Sequence, residues 1–286
     1  MRGEAAGTLY VVATPIGNLE DVTLRALRIL RDADLIAAED TRRTRKLLVA
    51  HGIDRPMTSY HDAVERARAP RIVERLLAGA SVALVSDAGT PGIADPGYHL
   101  VRGALAAGVR VVPIPGPSSV TALVSVAGFP AERFVFEGFL PTRPGARIAR
   151  LRALAAEPRA LVFLEAARRL AGFLDAARAA LGGGRPAAIG RELTKLHEEI
   201  LRGTLDDLAA RVAAGGEPKG EVTVVVAGAP EGKRERDESA LDDAIRAARA
   251  AGRSVRDVAA DVARATGYTR REVYRRALAL EGRGPS

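Results

Sequence analysis

The amino-acid sequence predicts an α/β protein, built as two α/β lobes followed by a small helical, helix-turn-helix-like appendage. Three observations carry that expectation. Short apolar runs alternate with helix-period segments through the first part of the chain. Each run ends in a Gly/Pro-rich or acidic cluster, which is where doubly wound sheets bind their ligands. After Pro115-Gly116-Pro117 the composition shifts to more closely spaced strands, and then to a charged stretch and short helices.

The elements follow in order. Leu9-Tyr10-Val11-Val12-Ala13 is a β-type run that stops at Thr14-Pro15-Ile16-Gly17-Asn18. A helix with apolar Leu24, Leu27, Ile29 and Leu30 comes next, then Leu35-Ile36-Ala37-Ala38, which ends in Glu39-Asp40. Residues 81–86 read as a buried strand ending in Asp87-Ala88-Gly89-Thr90-Pro91-Gly92, too rich in Gly and Pro for helix. Asp95 is expected as the N-cap and Pro96 as the first residue of a helix carrying Tyr98, Leu100, Val101 and Leu105. The next strand, 109–114, runs into Pro115-Gly116-Pro117-Ser118-Ser119. The alternation predicts parallel pairing through right-handed crossovers.

The Pro115-Gly116-Pro117 run is the expected lobe boundary. It divides the chain into lobes 1–115 and 116–230 with an appendage at 231–286. A helix is expected over 118–127, and strands over 133–140, 160–164, 187–193, 199–201 and 221–227. The close spacing of the last strands predicts a mixed or antiparallel second sheet. Residues 231–238 form a charged linker. Ser254 then caps one short helix, Gly267 breaks it, and Thr269-Arg270-Arg271-Glu272 is a capping box for another. This pair resembles a helix-turn-helix, and its second helix carries Arg270, Arg271, Arg275 and Arg276.

Composition narrows the chemistry. The 286 residues are 47% apolar, ample for a core, yet no run approaches a membrane span of ~20 residues. The N-terminal MRGEAAGTLYVV lacks the pattern of a signal peptide, and a cytoplasmic location is expected. The absence of cysteine excludes disulfides, thiolate catalysis and Cys-ligated zinc. His51, His61, His99 and His197 have no metal-binding spacing, so no metal is expected. A net charge of +8 suits a polyanionic partner, and equally suits a chain simply heavy in arginine.

Four segments could carry chemistry. Thr14-Pro15-Ile16-Gly17-Asn18 lies where a nucleotide-type ligand would sit, but its single glycine fails the dinucleotide fingerprint. Residues 86–97 place two carboxylates among glycines and prolines at a core strand end, a stiff loop whose backbone can close on a ligand. Glu39-Asp40 is followed by Arg42, Arg43, Arg45 and Lys46, which could hold phosphates or simply begin a solvated helix. Arg191-Glu192-Leu193-Thr194-Lys195 closes another strand with charges that would tune Asp87 if they share its cleft, or pair with one another.

The motifs TPIGNLED, AEDTRRT, VSDAGTPGIADPGYHLV, PIPGPSSV, FEGFLP and GRELTK occur in one order. Together they resemble the ribosomal small-subunit RNA 2′-O-methyltransferase I family of the tetrapyrrole methylase superfamily, over about residues 8–228 and the C-terminal helices. The resemblance implies two tetrapyrrole-methylase-type lobes with S-adenosylmethionine in the cleft, a homodimer, and methylation of a cytidine ribose in the decoding region of 16S rRNA within the 30S subunit. It implies cofactor contacts at Pro15, Gly17, Asp87, Gly89, Thr90, Ile93, Ser118, Ser119, Glu165, Arg191, Leu193 and Thr223. Tetrapyrrole enzymes usually carry a richer G-x-G-x-G-D first turn, and PIGNLED in its place favours the RNA branch.

For such chemistry Asp87 is the leading base candidate, Glu39 the second, and Lys195 the candidate cation for an emerging alkoxide. RNA contacts are expected from Arg42, Arg43, Arg45 and Lys46 and from the C-terminal helices. The alternatives are a C-methyltransferase acting on a tetrapyrrole of precorrin type and a non-enzymatic helix-turn-helix regulator.

Overall fold

A computed structural model describes residues 6–215, 220–230, 238–266 and 268–281. Within it the chain forms two compact units, Met1–Ala229 and Pro230–Ser286. The expected N-terminal MRGEA segment, the linker up to residue 237 and the helix-breaking Gly267 lie outside the described residues.

The larger unit holds two five-stranded sheets. The first is made of β1 (Thr8–Val12), β2 (Leu35–Ala38), β3 (Met57–Ser59), β4 (Val82–Val85) and β5 (Arg110–Ile114). Their order is β3-β2-β4-β1-β5 and every pairing is parallel, as the strand–helix alternation predicts. Around them lie α1 (Leu24–Asp32), α2 (Thr41–Ala50), α3 (Asp62–Leu77) and α4 (Tyr98–Ala106). The sheet has a core on each face, which is why β2 and β4 are apolar throughout. Val12, Ile36, Ala38, Val85 and Ile114 pack on Leu27, Leu30, Leu47 and Leu48, while Leu9, Ala37, Val82 and Leu84 pack on Ile72, Leu76 and Leu100.

The second sheet comprises β6 (Phe134–Phe139), β7 (Ala160–Ala166), β8 (Pro186–Arg191), β9 (Glu199–Thr204) and β10 (Glu221–Val226). The order is β6-β7-β10-β8-β9; only β6 and β7 are parallel, so the sheet is mixed, and the one short turn, residues 192–198, joins β8 and β9 as an antiparallel pair. One face packs on α6 (Pro144–Ala153), α7 (Leu170–Leu181) and α8 (Leu205–Ala214), and the other on α5 (Ser119–Ser125).

The smaller unit is α9 (Glu238–Ala250), α10 (Val255–Thr266) and α11 (Arg270–Glu281), closed around Leu241, Ile245, Val258, Val262 and Val273. Both expected caps are present. Asp257 N donates to Ser254 Oγ at 3.2 Å, and Thr269 N donates to Glu272 Oε2 at 2.8 Å while Glu272 N returns to Thr269 Oγ1 at 3.3 Å.

Some expectations need correction. The helix expected to begin at Asp95-Pro96 begins at Tyr98, capped by Gly97 with φ 150. Asp95 faces Ser86 and a cavity instead of the helix amides, so a competing tertiary partner displaces the N-cap role. The strand read as 187–193 ends at Arg191, because Glu192 and Thr194 take positive φ and turn the chain. Glu238, read as linker, opens α9. Three elements had no clear signature: β3 is a three-residue edge strand, α3 carries Pro70 inside it, and α2 starts on a run of cations.

Candidate active-site cleft

Because β4 lies between β1 and β2, the loops leaving β1 and β4 emerge side by side at the carboxyl edge of the first sheet. They are stitched together. Thr14 N donates to Gly89 O at 2.9 Å, Gly89 N donates back to Thr14 O at 3.1 Å, and Thr14 Oγ1 donates to Ser86 O at 3.1 Å. The turn after β8 meets them from the second sheet. Asn18 N donates to Thr194 Oγ1 at 3.0 Å, while Thr194 N donates to Glu198 Oε2 at 2.6 Å. Glu192 (φ 50) and Thr194 (φ 67) sit in the left-handed region, a strain of roughly 1–3 kcal/mol each that persists where surrounding contacts over-determine it. Gly17 admits this approach, for a side chain there would run into Lys195, Thr194 and the Leu193 carbonyl.

Between these loops lies a cavity of about 380 Å³. Of the predicted cofactor contacts, Gly89, Thr90, Ile93, Ser118, Ser119, Glu165, Leu193 and Thr223 all line it, and so does Lys195. Residues spread over some 130 positions of sequence thus converge on one space. Ser118 occupies the N-cap position of α5 but makes no capping bond. Pro15, Gly17 and Arg191 are not in the wall; Gly17 lies close against the turn after β8, and Arg191 Nε pairs with Glu199 at 3.0 Å.

Neither Asp87 nor Glu39 lines the cavity. Asp87 Oδ1 accepts Asp40 N at 2.9 Å, its Oδ2 meets Arg43 at 3.3 Å, and its own amide donates to Glu39 Oε2 at 3.1 Å. Burial raises both carboxyls above their ordinary range. Of the neighbouring carboxyls in the loops of the first sheet, Asp95 is the one that enters the wall. Burial first, then the charges of Glu39, Asp87 and Asp62, push it up to about 7, with the Ser86 hydrogen bond opposing. Asp95 was in plain view within ADPG, but its fit to a helix-cap pattern masked it.

The rest of the wall is also acidic. Glu165 is 1% exposed, and its Oε2 has no hydrogen-bond partner. Its Oε1 accepts Ala166 N at 2.9 Å and faces Arg169 Nε at 3.1 Å. Glu192 and Glu221 hold Lys195 Nζ at 2.9 and 3.3 Å. Burial would lower the Lys195 ammonium, but these carboxylates outweigh it and keep the group above its ordinary range. For Glu192 burial works upward, and the bonds from Lys195 and the Glu221 amide reverse it. Glu192, read in the sequence as one of the charges closing a strand, lines the cavity, and so do Glu221, Phe136 and Phe139, which sequence reasoning did not single out as site residues. Among the phenylalanines, the only available signal was their clustering at 134–139.

The basic residues divide. Arg42, Arg43, Arg45 and Lys46 are on α2, where Arg42 pairs with the helix-capping Asp40 at 2.8 Å and Arg43 with Asp87. Arg270, Arg271 and Arg275 are on α11, whereas Arg276 is turned inward onto Asp242 at 2.6 and 2.8 Å. Among the described residues no helix is long and apolar enough to cross a membrane. Nor do three or more His, Cys, Asp or Glu among them cluster as a metal site.

Residues 8–209 match the family model of the tetrapyrrole (corrin/porphyrin) methylases, and residues 236–281 match that of the RsmI C-terminal HTH domain. Fold and cleft therefore define a methylase of the two-lobed class with a helix-turn-helix module. A relative from Mesorhizobium japonicum, named ribosomal RNA small subunit methyltransferase I, is 50% identical over 96% of this chain and 92% of its own. A relative of the same name from Pseudomonas aeruginosa is 46% identical over 98% and 99%. The chain belongs to this ribosomal RNA small subunit methyltransferase I family. In fold it is also similar to uroporphyrin-III C-methyl transferase from Thermus thermophilus complexed with S-adenyl homocysteine, with TM-score 0.56, 20% identity, and 77% of this chain and 97% of that chain covered.

Proposed function

We propose that this protein is an S-adenosylmethionine-dependent methyltransferase that methylates the ribose 2′-hydroxyl of a cytidine in the decoding region of 16S rRNA. It acts in the cytoplasm, as a homodimer, on the 30S subunit. The observation that carries the reading is the chemistry of the cavity wall. Asp95, Glu165, Glu192 and Glu221 face one space beside apolar Ile16, Val120, Leu164 and Val222. A cationic ligand with a flat apolar ring suits such a wall, and about 380 Å³ is room enough for one. The orphaned Glu165 Oε2 needs an N–H or O–H donor, which a ribose or an α-ammonium provides. S-adenosylmethionine, when bound, supplies a methyl group carried on a sulfonium.

The chain's own residues then have assignable work. Backbone groups of Gly89, Thr90, Ile93, Ser118, Ser119 and Leu193, with Thr223, hold the cofactor. Lys195, kept charged by Glu192 and Glu221, stabilises negative charge on the attacking oxygen. Asp95 supplies the negative charge that the reaction uses, as counter-charge to a cation or as acceptor of the hydroxyl proton. Asp87 and Glu39, the leading base candidates by sequence, act behind it by raising its pKa. We assign the lobes to 1–115 and 116–230 and the appendage to 231–286; the first sheet ends at Ile114, the second begins at Phe134, and the compact units part after Ala229.

The test is methyl transfer from labelled cofactor to 30S subunits, with the modified position mapped by ribose-methylation sequencing. A single 2′-O-methylcytidine in the decoding region is expected; label on a base, or none on RNA, refutes the reading. Truncation of residues 232–286 is expected to weaken binding to 30S subunits and to flatten its salt dependence, by about 0.7–0.9 log units for each phosphate no longer neutralised. An unchanged salt slope would show that Arg270, Arg271 and Arg275 do not touch RNA.

A further inference from the structure

The cavity wall restricts what part of an RNA can enter it. Its carboxylates outnumber its single cation, Lys195, which two of them already hold. A phosphodiester is repelled from such a space. Its mouth, by contrast, is apolar and wet: Phe139 is 55% exposed and Ile93 is 51% exposed.

Phe139 is there because β6 carries a bulge. In the register with β7, Phe136 lies opposite Val162, Gly138 opposite Phe163, and Phe139 opposite Leu164. Val162 and Leu164 share a face, the one that looks into the cleft; Phe163 is buried in the core on the other side. Glu137 is the extra residue that resets the alternation. Were the same residues paired with β7 in regular alternation, with no bulge, Phe139 would fall on the face that points into the core beneath α6 and α7. Two features hold the bulge. Gly138 takes φ 62, which favours glycine, and Glu137 is clamped by Arg150 of α6 at 2.7 and 2.8 Å. A Cβ placed on Gly138 would lie 3.9 Å from the Cβ of Ala94, next to Ile93, so the two rims of the mouth are close. The strand is thus bent by a pinned device whose result is a large aromatic ring left in water at the entrance to the active site.

We propose that Phe139, with Ile93 beside it, is a stacking subsite for one unstacked nucleobase of the RNA substrate. The inference rests on the rRNA-methyltransferase reading above and names how that site selects its substrate. A nucleobase is flat and uncharged, so it can enter the apolar mouth of an acid-walled cavity that its own phosphates cannot, and single-stranded bases are commonly read by stacking on aromatic rings. The flanking phosphates remain outside.

The test compares Phe139→Ala, Phe139→Leu and Phe139→Trp with wild type. Initial rates are measured against 30S concentration, cofactor Kd by calorimetry, and oligomeric state by sedimentation. Because the ring is exposed, folding does not depend on it. Expected are a rise of about tenfold or more in KM for 30S with Ala, nearly as large a rise with Leu, and recovery with Trp, with cofactor Kd within about twofold throughout. Wild-type KM for Ala or Leu overturns the proposal. So does a cofactor Kd rising in step with KM, or a changed oligomeric state, which would make the ring a cofactor or subunit contact. Wild-type enzyme that transfers no methyl to RNA removes the parent reading instead, before any variant is compared.

Discussion

Asp95→Asn is expected to lower the rate of methyl transfer about 100-fold or more and to make the protein more stable at alkaline pH. Both effects follow from one carboxyl pushed up to about 7 by burial and by the charges of Glu39, Asp87 and Asp62. Activity needs the ionised form, so wild-type kcat/KM should rise through pH 7 and level above it, and the Asn variant should lose that inflection. The stability effect has the opposite sense. The folded-state value lies above the ordinary 3.8, so Asp95 favours the fold fully below about pH 4, and that contribution is lost as pH rises to 7. Asparagine carries no charge at any pH. The variant should therefore match wild type near pH 4 and exceed it above pH 7, by about 1–2 kcal/mol once partial exposure is allowed for. Urea melts at pH 4, 6 and 8 check this, and a constant difference would refute it. Calorimetry divides the rate loss: a cofactor Kd that rises with it makes Asp95 the counter-charge, and an unchanged Kd makes it the proton acceptor.

Gly17→Ala should also cost about 100-fold in activity while barely moving the unfolding midpoint. A β-carbon there would meet Lys195 Cγ, Thr194 Oγ1 at 2.8 Å and the Leu193 carbonyl at 2.9 Å. The lysine chain can swing away. The carbonyl is backbone, and the Thr194 hydroxyl is held by Asn18 N. The loop after β1 must then part from the turn after β8, breaking the bond between them and shifting Leu193 and Lys195, which line the cavity. Gly17 is exposed and belongs to no core cluster, so the loss is of alignment and not of folding. A variant with wild-type kcat and cofactor Kd would show that the bond between the loops does not set the site.

Much of the architecture is legible in the residues alone, because buried parallel strands declare themselves. Leu35-Ile36-Ala37-Ala38 and Val82-Ala83-Leu84-Val85 are apolar at every position since both faces of their sheet are covered. Two-faced strands of this kind need no partner information. The three-residue β3 and the proline-bearing α3 were not readable, for each owes its shape to what it packs against. The site divides in the same way. Gly89, Thr90, Ser118 and Leu193 are named because the family resemblance of their motifs implies cofactor contacts there, and all four line the cavity.

By itself the sequence determined most of the strands, that the first sheet is parallel, which loops leave the carboxyl ends of those strands, and that cysteine chemistry has no place. Those properties reside in the residue inventory and in runs of neighbouring residues. Only the tertiary structure decided that Asp95 and not Asp87 enters the cavity, that Arg276 pairs with Asp242, and that a bulge in the pairing of β6 with β7 turns Phe139 to the cleft face. Each depends on distances across the fold, where burial and neighbouring charge act, and no local pattern of residues encodes them.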